Sequence, residues 1–112
     1  MRRKTPAAEI QPEWITVADL SLSELTHEVK RGEDRIELTP REFELLAYLM
    51  KHARQVLSRE QLLDGVWGYG YYGDTNIVDV YIRYVRHKVD KPYHTTLIHT
   101  VRGVGYVLRD PG

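Results

Sequence analysis

The sequence predicts an α+β domain in which a short N-terminal antiparallel sheet, three helices and a C-terminal β-hairpin share one core. Three observations carry that expectation. Short β-like runs parted by turn residues fill Trp14 to Leu38. Two helix-start signatures, Thr39-Pro40-Arg41-Glu42 and Ser58-Arg59-Glu60-Gln61, stand before apolar residues at helical spacing. A β-rich run from Thr95 to Leu108 is broken by the turn Arg102-Gly103-Val104-Gly105. The chain has 112 residues, 42% hydrophobic and 29% charged, which suits a single globular domain rather than a disordered segment.

Residues 1 to 12 hold two prolines, several charges and no periodicity, so they are expected to be a linker or tail from something upstream, with the folded domain at 13 to 109. Within it, Trp14 to Leu22, Thr26 to Arg31 and Arg35 to Leu38 read as strands, the last two joined by a Gly32-Glu33-Asp34 turn. Thr26, Glu28 and Lys30 make one side polar, so one face of this sheet meets solvent and the other covers helices. At Thr39 an N-cap hydroxyl, a proline in the first helical position and a glutamate three residues after the cap start the first helix. Its stripe of Phe43, Leu46, Ala47 and Met50 is core and runs to about Ala53. Ser58 opens a second, shorter helix with Leu62, Leu63, Val66 and Trp67 inward, ending at Gly68.

The loop Gly68-Tyr69-Gly70-Tyr71-Tyr72-Gly73 is glycine-rich, but no lysine and hydroxyl follow its last glycine, which argues against a nucleotide phosphate loop. Asp74 or Thr75 then caps a third helix that runs to about Asp90, before Pro92. At 100° per residue, Val78, Ile82, Val85 and Val89 share one edge of it, and Asn76, Val80, Arg83 and His87 the opposite edge, with Tyr84 beside them and Arg86 on the flank. An amide, a branched methyl group, a guanidinium and an imidazole on one free face match the donors, acceptors and thymine methyl that the major groove displays. With the short capped helix before it and the hairpin after it, this makes a winged helix-turn-helix. In that geometry the third helix, about 75 to 90, enters the major groove, and the wing, about 97 to 108, reaches backbone or minor groove.

Composition narrows the alternatives. There is no cysteine, which removes disulfides, thiolate-bound metals and cysteine nucleophiles. No apolar run is long enough to span a membrane, and Arg2-Arg3-Lys4 leads into no signal-peptide core, so a cytoplasmic protein is expected. Net charge is zero, yet from Tyr81 to Arg109 only Asp90 opposes Arg83, Arg86, Lys88, Lys91, Arg102 and Arg109, a local excess that attracts polyanions. If Arg83, Arg86, Lys88 and Arg102 each neutralise one phosphate, the logarithm of affinity falls with the logarithm of salt at a slope of about −3.6. A rival winged helix would bind protein instead, with Val80 and Tyr84 as apolar anchors. An enzyme using His94, His99, Asp79 or Asp90 is disfavoured by their scattered spacing, and neither a metal nor a cofactor is expected.

The motifs LTPREFELLAYL (Leu38 to Leu49), VLSREQLLDGVWG (Val56 to Gly68), NIVDVYIRYVRHKV (Asn76 to Val89) and LIHTVRGVGYVL (Leu97 to Leu108) occur in this order. Across Trp14 to Leu108 the chain thereby resembles the DNA-binding effector domain of OmpR/PhoB-type response regulators. The resemblance implies a four-stranded N-terminal sheet and sequence-specific binding of double-stranded DNA for transcriptional regulation, often as tandem copies on direct repeats. It implies a receiver domain and a sensor kinase upstream, with this chain as the effector half. Carried over by position, Arg83 and Arg86 contact DNA from the helix, Val80 faces the groove, and Thr100 and Arg102 touch backbone or minor groove from the wing. Together with Asn76, Tyr84 and His87 from the free face, these complete the expected DNA-binding set. Tyr84 stands where relatives place an arginine, leaving stacking, a phosphate contact through its hydroxyl, or neither. The loop holding Tyr69, Tyr71 and Tyr72 matches the segment that meets RNA polymerase in activating relatives. A lone winged helix buries only about 600 to 1,000 Å², so tight, selective binding is expected to need two copies on adjacent half-sites. The partner surface is expected from the rest of the protein, leaving the isolated domain monomeric without DNA.

Overall fold

A computed structural model describes residues 13–68 and 73–111; the expected linker at 1 to 12 and the tyrosines of the Gly68 to Gly73 loop lie outside the described residues. The N-terminal sheet has strands β1 (Ile15–Val17), β2 (Leu20–Ser23), β3 (Glu28–Arg31) and β4 (Asp34–Arg35), antiparallel and in chain order. The expected single run from Trp14 to Leu22 is folded back on itself at Ala18-Asp19, where Ala18 takes a φ of 54° and no glycine announces the turn. Register then sorts the side chains. Val17 pairs with Leu20 and Leu20 with Arg31, while Ile15 pairs with Leu22 and Leu22 with Val29, so these two rows face the helices. The outer face carries Thr16, Ser21 and Lys30, with the Lys30 ammonium 5.0 Å from the Trp14 ring centre.

Helix α1 (Pro40–Lys51) starts as its capping signature requires: the Glu42 N–H donates to the Thr39 hydroxyl, and the Thr39 N–H donates to the Glu42 carboxylate at 3.0 Å. The expected stripe is buried, and Glu42, Leu45 and Leu49 are buried with it. More than one stripe is covered because α1 touches β1 on one side and the later helices and the closing hairpin on others. A strand too short to read from sequence, β5 (Leu57–Ser58), precedes α2 (Arg59–Leu62), whose second capping box joins Ser58 and Gln61. The chain continues as a π-helical turn, Leu63–Trp67, that stops at Gly68 with a φ of 98°. Gly65 lets this turn approach α1: a Cβ there would sit 2.4 Å from the Tyr48 ring. Leu62 is fully buried, whereas Leu63, Val66 and Trp67 are half-buried against the core.

Helix α3 (Asn76–Val89) follows, then the hairpin β6 (Ile98–Val101) and β7 (Gly105–Leu108). β7 lies between β5 and β6 in a second antiparallel sheet. Backbone passes very close at Gly105, where a Cβ would stand 1.9 Å from the Leu57 carbonyl oxygen. The N-cap position of α3 falls to Thr75, whose side chain makes no capping bond; Asp74 Oδ1 instead accepts from the Asn76 N–H at 3.3 Å.

Candidate nucleic-acid interface

Helix α3 buries Val78, Ile82, Val85 and Val89 and turns its other edge outward, as the 100° periodicity requires. Asn76, Arg83, Tyr84 and His87 are exposed on that edge, and Val80 and Arg86 are half-buried. Thr100 and Arg102 are exposed on the wing. Tyr84 is not a free ring. It meets Tyr81 edge-on with centroids 5.4 Å apart, and Tyr81 meets Trp67 in the same way, so the aromatic edge is anchored through to the π turn.

Arg86 ties helix and wing into one surface. Its guanidinium donates to the Ile98 carbonyl at 3.2 Å and to the Thr100 hydroxyl at 2.6 Å, and lies 5.5 Å from the Tyr106 ring centre. Both acceptors are neutral, so the Arg86 charge stays uncompensated. Arg83 and Arg102 likewise form no ion pair among the described residues. Lys88 is different. Its ammonium donates to Glu42 at 2.7 Å, so this cation, counted with the phosphate contacts on sequence grounds, is already neutralised. The partners stand far apart in the chain, and α1 must pack on α3 before they meet.

Arg59 and Tyr106, which no sequence motif marks as site residues, also meet on this side of α3. Asp79, one turn before Arg83, accepts from Arg59 Nε at 2.8 Å and from the Tyr106 hydroxyl. Burial alone would raise the Asp79 pKa, but Tyr106, Arg59 and Arg83 together hold it below the usual aspartate range. The carboxylate thus joins α2, α3 and β7. Arg59 reads from sequence only as part of a helix cap, and nothing local marks its partner on the next helix.

The residues weighed for acid–base chemistry do not converge. Asp79 is held as described, and Asp90 is buried, accepting from the Leu97 and Ile98 N–H groups at 3.1 Å each. His94 is exposed. His99 is half-buried with Nε2 unpartnered; burial and the Arg109 charge hold its pKa below the ordinary histidine value. Among the described residues no three His, Asp or Glu side chains gather as metal ligands, and no helix is long and apolar enough to cross a membrane.

Sheet, three helices, wing and an outward helix edge with unpaired arginines define a winged-helix DNA-binding domain of the OmpR/PhoB type. Residues 32–108 match the family model described as transcriptional regulatory protein, C terminal, and the chain belongs to that family. It is 59% identical over 96 residues to the uncharacterized transcriptional regulatory protein YkoG of Bacillus subtilis, covering 86% of this chain and 42% of YkoG. To the transcriptional regulatory protein TrcR of Mycobacterium tuberculosis it is 45% identical over 111 residues, covering 99% of this chain and 43% of TrcR. The chain therefore spans less than half the length of these relatives. A solved structure of the Klebsiella pneumoniae RstA DNA-binding domain in complex with the RstA box superposes with a TM-score of 0.76 at 31% identity, over 87% of this chain and 97% of that one. The fold and family make this chain a DNA-binding output domain of a transcriptional regulator.

Proposed function

We propose that α3 lies in the major groove and reads bases through Asn76, Val80, Arg83, Tyr84 and His87, with Arg86, Thr100 and Arg102 holding backbone or minor groove. The observation that carries this is Arg83, exposed on the edge of α3 that faces away from the core and forming no ion pair among the described residues. The Arg86–Thr100 bond supports simultaneous engagement by helix and wing, because it fixes the wing strand against the groove-facing helix. Three uncompensated cations, Arg83, Arg86 and Arg102, give a salt slope of about −2.7, so raising salt from about 50 to about 200 mM weakens binding roughly 40-fold. The protein-binding alternative is weaker, since Val80 is half-buried and, among the described residues of α3, Tyr84 is then the one exposed apolar anchor.

The domain acts by binding rather than catalysis, in the cytoplasm, downstream of a receiver domain and a sensor kinase. Tyr69, Tyr71 and Tyr72 face RNA polymerase when the domain sits at a promoter. Alone the domain is a monomer, and two copies occupy direct repeats about one helical turn apart. Selecting bound sequences from random duplexes tests site and assembly together: a direct repeat at that spacing is the expected outcome, and the absence of any enriched sequence contradicts base reading.

A further inference from the structure

Arg31 is a buried cation that neither the fold signals nor the groove contacts explain. Register puts it in the inward row of the N-terminal sheet, opposite Leu20, where an apolar side chain would serve the core. It is only 2% exposed, and its guanidinium reaches three parts of the chain at once. Nε donates to Asp19 in the β1–β2 turn at 2.6 Å. Nη1 donates to the Val89 carbonyl, the last of α3, at 2.5 Å and lies 3.4 Å from Asp90. Nη2 donates to the Thr95 carbonyl at 3.0 Å and also to the Thr95 hydroxyl. The Tyr93 ring centre is 4.9 Å from the guanidinium carbon. Asp90 then passes the constraint onward, because its two oxygens hold the N–H groups of Leu97 and Ile98, the root of the wing.

A buried charge carries a desolvation cost, and an apolar residue in the same row would avoid it. What the planar fork supplies, and an apolar side chain lacks, is directional bonding to several acceptors at once. We infer that Arg31 is a positioning residue for DNA binding: it sets the C-terminal end of α3 and the root of the wing in fixed relation, so that Arg83 and Arg102 meet one duplex together. The inference rests on the groove-and-wing reading above and adds a residue that never touches DNA.

The test is a double-mutant cycle on a selected duplex, with binding followed by fluorescence anisotropy and each variant first shown by circular dichroism to be folded. In the wild-type chain, Arg102→Ala removes one phosphate contact, lowering the salt slope by about 0.9 and weakening binding about fivefold at about 150 mM salt. In an Arg31→Met background the wing no longer addresses the duplex, and the same Arg102→Ala change weakens binding less than about twofold. Arg31→Lys keeps the charge but loses the fork, and is expected to behave like Arg31→Met. Should both Arg31 variants fail to fold, Asp19→Asn, which loosens the clamp at its solvent-exposed end, decides the matter: the Arg102→Ala effect then falls between the two values. An undiminished Arg102→Ala effect in any folded Arg31 variant, or in Asp19→Asn if that alone folds, overturns the role of Arg31 while leaving the DNA reading intact. If Arg102→Ala has no effect in the wild-type chain, the wing reading itself fails and the inference falls with it.

Discussion

Lys88 and Arg83 lie on the same helix with the same formal charge, but Lys88 is spent on Glu42 while Arg83 has no partner among the described residues. Lys88→Met is therefore expected to leave the salt slope of DNA binding unchanged and to lower thermal stability, whereas Arg83→Ala lowers the slope by about 0.9. A titration of affinity against salt for the two variants separates these roles. A drop in slope for Lys88→Met would mean that its ammonium leaves Glu42 for phosphate. Glu42 also makes a prediction in pH. Burial pushes its pKa up, but Lys88 and the Thr39 N–H more than offset this, and it rests below the ordinary value of 4.5. A carboxyl more acidic in the folded than in the unfolded chain stabilises fully above its unfolded value, and that contribution fades as pH falls through the folded one. Urea melts should accordingly find Glu42→Gln less stable than wild type at pH 7, with the gap closing as pH falls below 4.5; a gap independent of pH would contradict the assignment.

At the level of elements, the two capping boxes were legible because each is written in four consecutive residues, and both form. Thr39→Ala and Ser58→Ala are each expected to lower stability by about 1 kcal/mol in denaturant melts. The core edge of α3 was legible for a similar reason, since helical periodicity alone assigns Val78, Ile82, Val85 and Val89. What sequence left dark is set by distant contacts. β5 has two residues and exists because β7 pairs with it. The fold-back at Ala18 lacks a glycine, and the neutralisation of Lys88 depends on a partner 46 residues away. Gly105 and Gly65 separate backbone from side-chain crowding. A methyl group at Gly105 meets the Leu57 carbonyl, backbone that is paired in the sheet, while at Gly65 it meets the far end of the Tyr48 side chain. Gly105→Ala is expected to destabilise more than Gly65→Ala, and equal melting temperatures for the two would refute that ranking.

On the scale of the whole molecule, sixteen basic and sixteen acidic residues cancel, so binding depends on where charge is left unpaired. Pairing inside the fold removes Lys88 and Arg59 from the positive face and leaves Arg83, Arg86 and Arg102 along α3 and the wing. On the proposed reading, three such contacts would make a modest, salt-sensitive binder, and two copies on neighbouring half-sites would supply the selectivity that one lacks. Sedimentation of the isolated domain should accordingly find a monomer, and a stable dimer without DNA would oppose this assembly. Base reading by the outward edge of α3, as proposed, ties these scales together. The most direct measurement compares wild type and Arg83→Ala on a selected duplex and its single-base-pair variants. The expected result is a loss of about 1 to 3 kcal/mol of discrimination at one base pair, with the other positions still distinguished. Uniform weakening across every variant, or no binding to any duplex at low salt, would contradict it.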